Sequence, residues 1–559
     1  MIGIGIWFAK GKNENANDYF LASSALPWWA VGGSLIASNI STEQILGMNG
    51  SGFEIGLAIA SYELMAAVTL LLVAKFFLPV FIEKGIYTMP QFLEQRYDNR
   101  VRTALAIFWI FLFVFVNITS VLYLGGLAIE SIIGIPLIYG IAGLVIYSAS
   151  FSIFGGLKAV VWTDVIQVIV LILGGFVASY LVVSAVGEGS FLFGMSTLLE
   201  EVPERFKMVF GTTKSAYSLL PGISVLLGGM WIANIYYWGT NQYIIQRALA
   251  SKSLNEAQKG VAFAAFLKIL MPLIVVIPGI AAFHLQADIA KADQAFPWVL
   301  NNYVISGFKG LVFAALVAAI GSSISSIVNS TSTIFTLDLY KQMVANPPEK
   351  KLVQVGRVSA GVALIVGALV APMLQSLGQV FQYIQEYTGF ISPGVVAIFI
   401  FGLFWKPTTA SAANVAVILS IPLSWALQVF FPELPFIDRM GFCFLVLSTV
   451  LVIISVIQQA NVVDEVPYNT FHLGLVLTLI VVSGIPGIKI MVQDGITSPF
   501  GISSVLLVII TCWLLLTTKK AAFAKSVDVP KSLFKTTTQF NLISIGTLTV
   551  LAVIYILFW

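Results

Sequence analysis

The sequence predicts an all-α polytopic membrane protein, and two observations carry that prediction. Of the 559 residues, 58% are hydrophobic and only 10% are charged, a balance that would leave a soluble protein with an apolar surface nearly everywhere. Apolar runs of about 20 residues, the length that crosses a lipid bilayer, also recur along the whole chain. These runs lack the strict alternation of β-barrel strands, so we expect helices, whose backbone hydrogen bonds are satisfied inside lipid.

The apolar runs give fifteen expected transmembrane helices with short polar segments between them. Their approximate positions are 26–48, 54–80, 104–133, 136–155, 160–187, 218–249, 259–285, 308–338, 353–375, 378–405, 410–431, 438–457, 470–488, 500–517 and 540–558. Residues 1–12 are expected to be the end of a further transmembrane helix whose start is missing. Basic residues concentrate in alternate segments, such as 519–535, and we place those segments in the cytoplasm because Lys and Arg are enriched there.

Composition argues against several other classes of protein. The formal net charge of +3 gives no electrostatic footprint for nucleic acid, so no nucleic-acid partner is expected. The two cysteines and two histidines do not cluster with acidic residues, which argues against a metalloenzyme. A passive channel would need a continuous polar lining, and a transporter-like sensor would need an appended signalling domain. Neither pattern is present in the sequence, and no obligatory protein partner is expected.

Two opposite charges, Glu63 and Lys268, lie deep inside apolar runs. An ionisable group at the centre of a membrane helix costs a few kcal/mol or more, which makes it a functional candidate. We expect these two side chains either to bind a polar solute through hydrogen bonds or to form an ion pair that locks two helices together. The sequence leaves both alternatives open.

Two polar segments interrupt expected helices. Residues 37–44 (ASNISTEQ) lie near the middle of the first span, and their side chains can bond locally to the backbone in competition with the helix. We predict an unwound segment whose carbonyls could hold a cation, with a polar helix-packing seam as the alternative. Residues 319–326 (AIGSSISS) place four hydroxyls within two turns, which suits sodium or, equally, close helix packing.

The 218–249 span is also expected to be irregular, because several glycines flank Asn234, Tyr236, Tyr237 and Trp238. An aromatic pair beside an amide is typical of a platform on which a sugar ring packs. The alternative is that these aromatic residues belong to the core or the membrane interface.

Five short motifs follow one another along the chain. They are residues 87–93 (YTMPQFL), 155–164 (GGLKAVVWTD), 237–242 (YWGTNQ) continuing to Gln246 and Arg247, 329–338 (NSTSTIFTLD) and 381–385 (FQYIQ). Together they resemble the sodium/solute symporter family, and most closely its sodium/galactose and sodium/glucose branch. The matching stretches run in family order from about residue 18 to 432.

The resemblance implies a leucine-transporter-like core of five plus five helices in inverted repeat, with extra N- and C-terminal helices. The first repeat would be 26–187, the second 218–405, and the additional helices 410–559. It also implies that sodium drives import of a small polar solute by alternating access across a bacterial inner membrane. A hexose such as galactose or glucose is expected, with myo-inositol, sialic acid, proline or a vitamin as alternatives.

The resemblance also implies roles for single residues. The solute-binding set is Asn39, Gln44, Glu63, Asn234, Tyr237, Lys268 and Gln385, where Tyr237 would stack on the sugar from the cytoplasmic side. The outer gate is Met48, Tyr62 and Phe381, and Tyr237 is a further gate residue. The sodium set is Ala37, Ile40 and Ala319 through carbonyls with Ser322 and Ser323 through hydroxyls. A second sodium position would use Asp164, Ser325 and Ser326, although an Asp at a helix start is also a good cap.

The chain departs from the family pattern at four places. Ala66 stands where the bacterial galactose transporter has a serine near the sugar, which bears on affinity or epimer preference. The outer loop near 286–298 is shorter than expected, and the start of the first helix is absent. Two apolar spans, near 470–488 and 500–517, stand where a polar segment is expected. The last of these differences affects the total helix count and leaves the core unchanged.

Overall fold

The computed structural model describes residues 19–20, 22–41, 43–212, 215–377, 380–459, 470–518 and 530–559. Within these ranges the regular structure is helical, apart from an isolated bridge between Leu26 and Ser251. The predicted helix end at 1–12 lies outside the described residues.

The helices are numbered here in chain order. The first part of the chain contains α1 (Trp28–Asn39), a π-helical turn (Glu43–Met48), α2 (Asn49–Glu54), α3 (Leu57–Glu83), α4 (Met89–Arg96), α5 (Asn99–Ile133), α6 (Leu137–Ser150), α7 (Gly156–Val186) and α8 (Phe191–Glu201). The second part contains α9 (Ala216–Leu226), α10 (Met230–Thr240), α11 (Gln242–Leu249), α12 (Leu254–His284), α13 (Ala295–Tyr303), α14 (Gly307–Met343), α15 (Glu349–Ser376), α16 (Val380–Gly389) and α17 (Ser392–Phe404). The remaining helices are α18 (Ala410–Phe430), α19 (Phe436–Gln458), α20 (Phe471–Gln493), α21 (Pro499–Thr517) and α22 (Thr538–Leu557).

In the described part of the chain, 11 helices are long and apolar enough to cross a membrane, and two bent pairs bring the number to 13. Each of the fifteen expected positions holds helix, with boundaries displaced by a few residues. The first expected span, 26–48, is divided between α1 and the π-helical turn Glu43–Met48, and α6 is short. The 48° bend between α16 and α17 was not expected. It lies beside Pro393, which lacks the N–H needed to continue a helix through this point.

The prediction of an unwound segment in the first span is confirmed. α1 ends at Asn39, and Ile40 leaves the helical conformation with ψ at 81°. The Ser41 N–H bonds to the Asn39 carbonyl at 2.8 Å, and the Gln44 N–H bonds to the Ser41 carbonyl at 3.1 Å. In an α-helix the Ser41 N–H would bond to the Ala37 carbonyl and the Gln44 N–H to the Ile40 carbonyl. Both carbonyls therefore lose their helical partners.

The predicted irregularity of the 218–249 span is also confirmed. α9 and α10 meet at an angle of 79°, across a short connection that contains Gly229. A Cβ atom on Gly229 would lie 2.0 Å from the carbonyl oxygen of Ile437 in α19, so only glycine permits this approach. Asn241 is then extended, with φ −78° and ψ 122°, between α10 and α11. The chain is thus interrupted on both sides of the predicted aromatic platform.

Close packing brings the two broken spans to one centre. α1 crosses α12 where Gly32 meets Gly260, and a Cβ on Gly32 would lie 2.6 Å from the Gly260 carbonyl oxygen. α14 packs along α7 and also contacts α1. The broken end of α1 therefore lies between α12, which carries Lys268, and α14, which carries the serine run.

Candidate solute and sodium sites

A cavity of about 60 Å³ lies between the broken α1 and helices α3, α10, α12 and α16. All seven residues of the predicted solute-binding set line it: Asn39, Gln44, Glu63, Asn234, Tyr237, Lys268 and Gln385. Ala66, one of the departures from the family pattern, lines it as well. The volume has room for only a few water-sized groups, so a larger solute enters only when lining side chains move.

A continuous chain of hydrogen bonds crosses this cavity. Lys268 Nζ donates to both Glu63 Oε2 and Asn39 Oδ1. Asn39 Nδ2 then donates to the Tyr237 hydroxyl at 3.0 Å, and the Tyr243 hydroxyl donates to the same oxygen at 2.8 Å. Glu63 and Lys268 are only 2% and 0% exposed. Glu63 and Lys268 therefore form the ion pair that one of the two alternatives predicted. Both residues also line the cavity, where the other alternative, solute binding, requires them.

Aromatic side chains form two groups in the lining of the cavity. Tyr62 meets Phe381 edge to face, with ring centroids 5.5 Å apart, and Met48 is fully buried in the adjacent π-helical turn. Tyr237 also lines the cavity, and its ring packs against those of Trp238 and Tyr243 with centroids 5.0 and 5.7 Å apart. Of the predicted gate residues, Tyr62, Phe381 and Tyr237 line the cavity, and the role of the set in gating stays a prediction.

An outer loop holds the start of α16, and we call this contact the external clasp. Asp293 accepts a hydrogen bond from the Val380 N–H at 3.2 Å, and Lys291 Nζ donates to the Gln375 carbonyl at 2.7 Å. Burial raises the pKa of Asp293 to about 6, opposed by the Val380 N–H and by Lys291. Since α16 carries Phe381, the clasp ties the loop between α12 and α13 to the gate.

The predicted sodium residues lie on two facing helices. The Ser323 hydroxyl of α14 donates to the Ser38 carbonyl of α1 at 3.4 Å, immediately before the unwound segment. Ala37, Ile40 and Ala319 are buried beside this contact. The Ser322 hydroxyl donates to Asp164 instead. Hydroxyl and carbonyl oxygens around a helix break are the ligands that a hard monovalent cation prefers.

Asp164 occupies a second buried cluster next to the first. Its carboxylate accepts hydrogen bonds from Ser34 at 2.6 Å and from Ser38 at 3.4 Å, in addition to the bond from Ser322. The helix-cap alternative for Asp164 is wrong, because α7 begins at Gly156, two turns earlier. Ser326 bonds to Ser38 at 3.0 Å.

Two features of this cluster differ from the expected second sodium position. The Ser325 hydroxyl donates to the Gly321 and Ser322 carbonyls of its own helix, at 2.7 and 2.9 Å. The guanidinium of Arg247 lies 3.7 Å from the Asp164 carboxylate and also donates to Ser326. A positive charge of the protein is therefore already beside Asp164.

Three of the motifs that carry the family resemblance, 87–93, 237–247 and 329–338, contact one another. Thr88 donates to Asp338 at 3.0 Å, and Gln242 accepts the Met89 N–H at 2.8 Å. Ser330 donates to Gln246 at 2.7 Å. Residues far apart in sequence thus form hydrogen bonds that connect these three motifs in pairs.

Several residues at these sites were not assigned from the sequence. Glu43, Asn117, Trp238, Asn241 and Thr388 also line the solute cavity. Glu43 lies in the polar segment 37–44, so its place in that segment could have indicated that it lines the site. Asn117 gave none, because a lone amide in a long apolar helix is indistinguishable from a packing residue.

Comparison with known proteins identifies the family of this chain. Residues 19–420 match the model of the sodium:solute symporter family. The sodium/glucose cotransporter of Vibrio parahaemolyticus is 47% identical over 582 aligned residues, which cover 100% of this chain and 96% of that protein. Sodium/myo-inositol cotransporter 2 of Mus musculus is 33% identical, with 76% of this chain and 67% of that protein covered. The uncharacterized symporter YidK of Escherichia coli (strain K12) is also 33% identical, with 75% of each chain covered.

Solved structures share the fold. A Na⁺-coupled sialic acid symporter in a substrate-bound, outward-open state superposes with a TM-score of 0.72 at 24% identity, covering 82% of this chain and 95% of that one. Mhp1, a nucleobase-cation-symport-1 family transporter in a closed conformation, gives a TM-score of 0.53 at 14% identity, with 80% and 96% covered. At these identities the likeness establishes the fold alone. The predicted leucine-transporter-like architecture is confirmed.

Proposed function

Because this chain belongs to the sodium:solute symporter family, it is a sodium-coupled solute symporter, and we propose that its solute is a hexose such as galactose or glucose. The coupling ion is sodium, and the protein crosses the membrane several times. The observation that carries the hexose proposal is the hydrogen-bonded chain from Glu63 through Lys268 and Asn39 to Tyr237 along a buried cavity. The relative named as a sodium/glucose cotransporter supports the same proposal.

The chemistry of the cavity suits a molecule with several hydroxyl groups. Each sugar hydroxyl both donates and accepts, so it can bond to the Glu63 carboxylate and to the Lys268 ammonium group at once. Gln44, Asn234 and Gln385 add amide groups with both donors and acceptors. The Tyr237 ring supplies an apolar face for the C–H side of the sugar. We propose that the sugar separates or bridges the Glu63–Lys268 pair when it binds.

Coupling follows from two adjacent residues at the end of α1. The Ser38 carbonyl contacts Ser323, on the proposed sodium side, while the Asn39 side chain bonds to Lys268 and Tyr237, on the solute side. Sodium held by the broken helix and α14 would fix the backbone of Ser38 and with it the direction of Asn39. Each ligand then favours the conformation that binds the other, and the coupling is reciprocal.

A second sodium position at Asp164 remains part of the proposal, with one condition. Arg247 lies beside the carboxylate, and a guanidinium and a sodium ion repel each other at short distance. We propose that a cation reaches Asp164 and Ser326 only after Arg247 withdraws. Ser325 joins this site only if its hydroxyl rotates away from its own helix.

We also propose the arrangement of repeats and the cellular location. Residues 26–187 and 218–405 would form the two inverted repeats, and 410–559 the additional helices. The interruptions in α1–α2 and α9–α10, the first spans of the two proposed repeats, support this division. A bacterial inner membrane is the proposed location, in line with the Vibrio relative.

Uptake into proteoliposomes tests the proposed function. Radiolabelled galactose should accumulate above its external concentration under an inward sodium gradient and should not do so under a potassium gradient. Unlabelled galactose or glucose should compete more strongly than myo-inositol, sialic acid, proline or a vitamin. Stronger competition by one of those solutes would overturn the hexose assignment. Equilibration without accumulation would indicate a channel, and absence of any uptake would favour a sensor.

A further inference from the structure

A large groove opens on the side of the protein away from the solute cavity. It has a volume of about 1030 Å³ and lies between α5, α14 and α15. Its walls are almost entirely apolar, and Phe111 and Val358 are 58% and 67% exposed within it. Side chains this apolar and this exposed face the bilayer, so lipid is the surrounding medium of the groove.

The groove has the length of a lipid tail. On α15 it is lined from Lys351 to Val366, a distance of about 22 Å at the rise of an α-helix. This is more than half of the hydrocarbon core, which is about 30 Å thick. One acyl chain from one leaflet therefore spans the groove from its polar end to its apolar end.

The polar end of the groove is basic. Lys351 and Arg357 line it together with Gln354, and no Asp or Glu is among the described lining residues. α15 begins in the segment that the distribution of basic residues places in the cytoplasm. Basic pockets between membrane helices on the cytoplasmic side are suited to anionic lipid headgroups.

We propose that this groove binds an anionic phospholipid of the cytoplasmic leaflet. Its phosphate lies at Lys351 and Arg357, and one acyl chain lies against Phe111, Phe335, Val358 and Val362. A neutral lipid would fill the apolar walls but would bring no negative charge to the exposed ammonium group of Lys351. The proposal does not depend on the identity of the transported solute.

The position of the groove connects the lipid to the transport sites. α14 forms one wall with Thr331 and Phe335. About two turns before Thr331, the same helix carries Ser322 and Ser323 of the proposed sodium site. α5 forms another wall and carries Asn117, which lines the solute cavity. Both helices contain π-helical turns beside the groove, at Phe113–Ile118 and Phe335–Tyr340, and such turns are frequent at functional sites. A bound lipid therefore lies against the helices that hold both ligands.

Native mass spectrometry of the purified full chain tests the proposal, with phosphatidylglycerol and phosphatidylcholine added at equal concentration. The wild type should retain phosphatidylglycerol in preference. Lys351→Gln should weaken retention of phosphatidylglycerol about fivefold, as expected for one basic residue near an anionic headgroup. The control is Lys350→Gln, the same change at a neighbour that does not line the groove, and it should leave retention unchanged. Arg357 is left intact because it also bonds to Tyr19.

A second variant tests the apolar part of the groove. Val362→Trp fills the groove without changing charge and should reduce retention of both lipids. Equal retention of the two lipids by the wild type, or equal effects of the two lysine variants, would overturn the anionic-lipid assignment. Unchanged lipid retention in Val362→Trp would overturn the groove as the site. A dimer that Val362→Trp dissociates would show that a second copy of the chain occupies this face instead.

Discussion

At the scale of single residues, the proposed function gives the buried pair of Glu63 and Lys268 two roles, in the stability of the protein and in solute binding. Both charges could be singled out from the sequence because they interrupt apolar runs. Arg247 could not, because it lies near the cytoplasmic end of an expected helix, where an arginine normally reaches the membrane surface. The structure buries it completely beside Asp164. That burial depends on α1, α7 and α14 meeting there, which no local pattern in the sequence records.

Glu63→Gln and Lys268→Met test the double role of the pair. Each single variant should weaken hexose affinity by about tenfold or more, since a hydrogen bond to a charged group contributes roughly 1.5–3 kcal/mol. Each should also lower the melting temperature in detergent, because removing one partner of a buried pair costs about 3–5 kcal/mol. The double variant should recover much of the melting temperature and none of the affinity.

The matched control for these variants is Lys489→Met. This change breaks a partly buried pair with Asp438, whose atoms are 3.2 Å apart, at a place that does not line the cavity. It should lower the melting temperature and leave hexose affinity unchanged. Equal hexose affinity in the wild type, both single variants and the double variant would exclude a binding role for Glu63 and Lys268.

Tyr237→Ala and Tyr237→Phe separate the ring from the hydroxyl. The alanine variant loses the stacking face and should lose most hexose binding. The phenylalanine variant keeps the face and loses the bonds to Asn39 and Tyr243, so its affinity should lie between the other two. Equilibrium binding of labelled galactose measures all three proteins, and an alanine variant with wild-type affinity would show that the ring is only structural.

At the scale of helices, local chemistry decided which features could be predicted. The break in α1 follows from consecutive polar side chains, which compete with the helix wherever it packs. The external clasp had no such signal, because Asp293 and Val380 are 87 residues apart and neither stands out alone. The bend before α17 had a local signal in Pro393, but prolines are frequent in membrane helices and many leave the helix continuous.

The clasp predicts a dependence on external pH. Burial raises the pKa of Asp293 to about 6, so the clasped state binds a proton more tightly than a state in which Asp293 meets water. The clasp is therefore stabilised as pH falls through about 6 and weakened above it. The groups that face Asp293 are Lys291, Glu54 and Tyr123. Initial uptake should slow as external pH is lowered from 7.5 to 5.5, because the gate helix α16 is held in place.

Asp293→Asn should remove most of that pH dependence, since the amide stays neutral across this range. Asp288→Asn, a change at an exposed residue of the same loop, should retain it. Initial rates of labelled uptake at fixed internal pH compare the three proteins. An Asp293→Asn profile identical to that of the wild type would show that another group is responsible.

At the scale of the whole molecule, the sequence predicted the helical membrane fold, the broken spans and the residues that assemble around the cavity. Those predictions succeeded because membrane helices are long, apolar and punctuated by few polar residues, so each exception is visible. The size of the cavity, the direction of the Ser322 hydroxyl and the approach of Arg247 to Asp164 depend on how helices pack. Packing distances of this kind are not encoded in any single segment of the chain.

We propose that sodium at the α1 break and a hexose at Asn39 stabilise the same conformation. The most direct test measures the affinity for galactose in detergent as sodium replaces potassium at constant ionic strength, in the wild type, Ser323→Ala and Ser325→Ala. In the wild type, sodium should tighten galactose binding by a factor of roughly 5 to 150. Ser323→Ala should need a higher sodium concentration to tighten galactose binding to the same extent, and its affinity for galactose without sodium should be unchanged. Ser325→Ala should alter the sodium dependence less, because the Ser325 hydroxyl bonds to carbonyls of its own helix. A wild-type affinity for galactose that is the same with and without sodium would contradict the account.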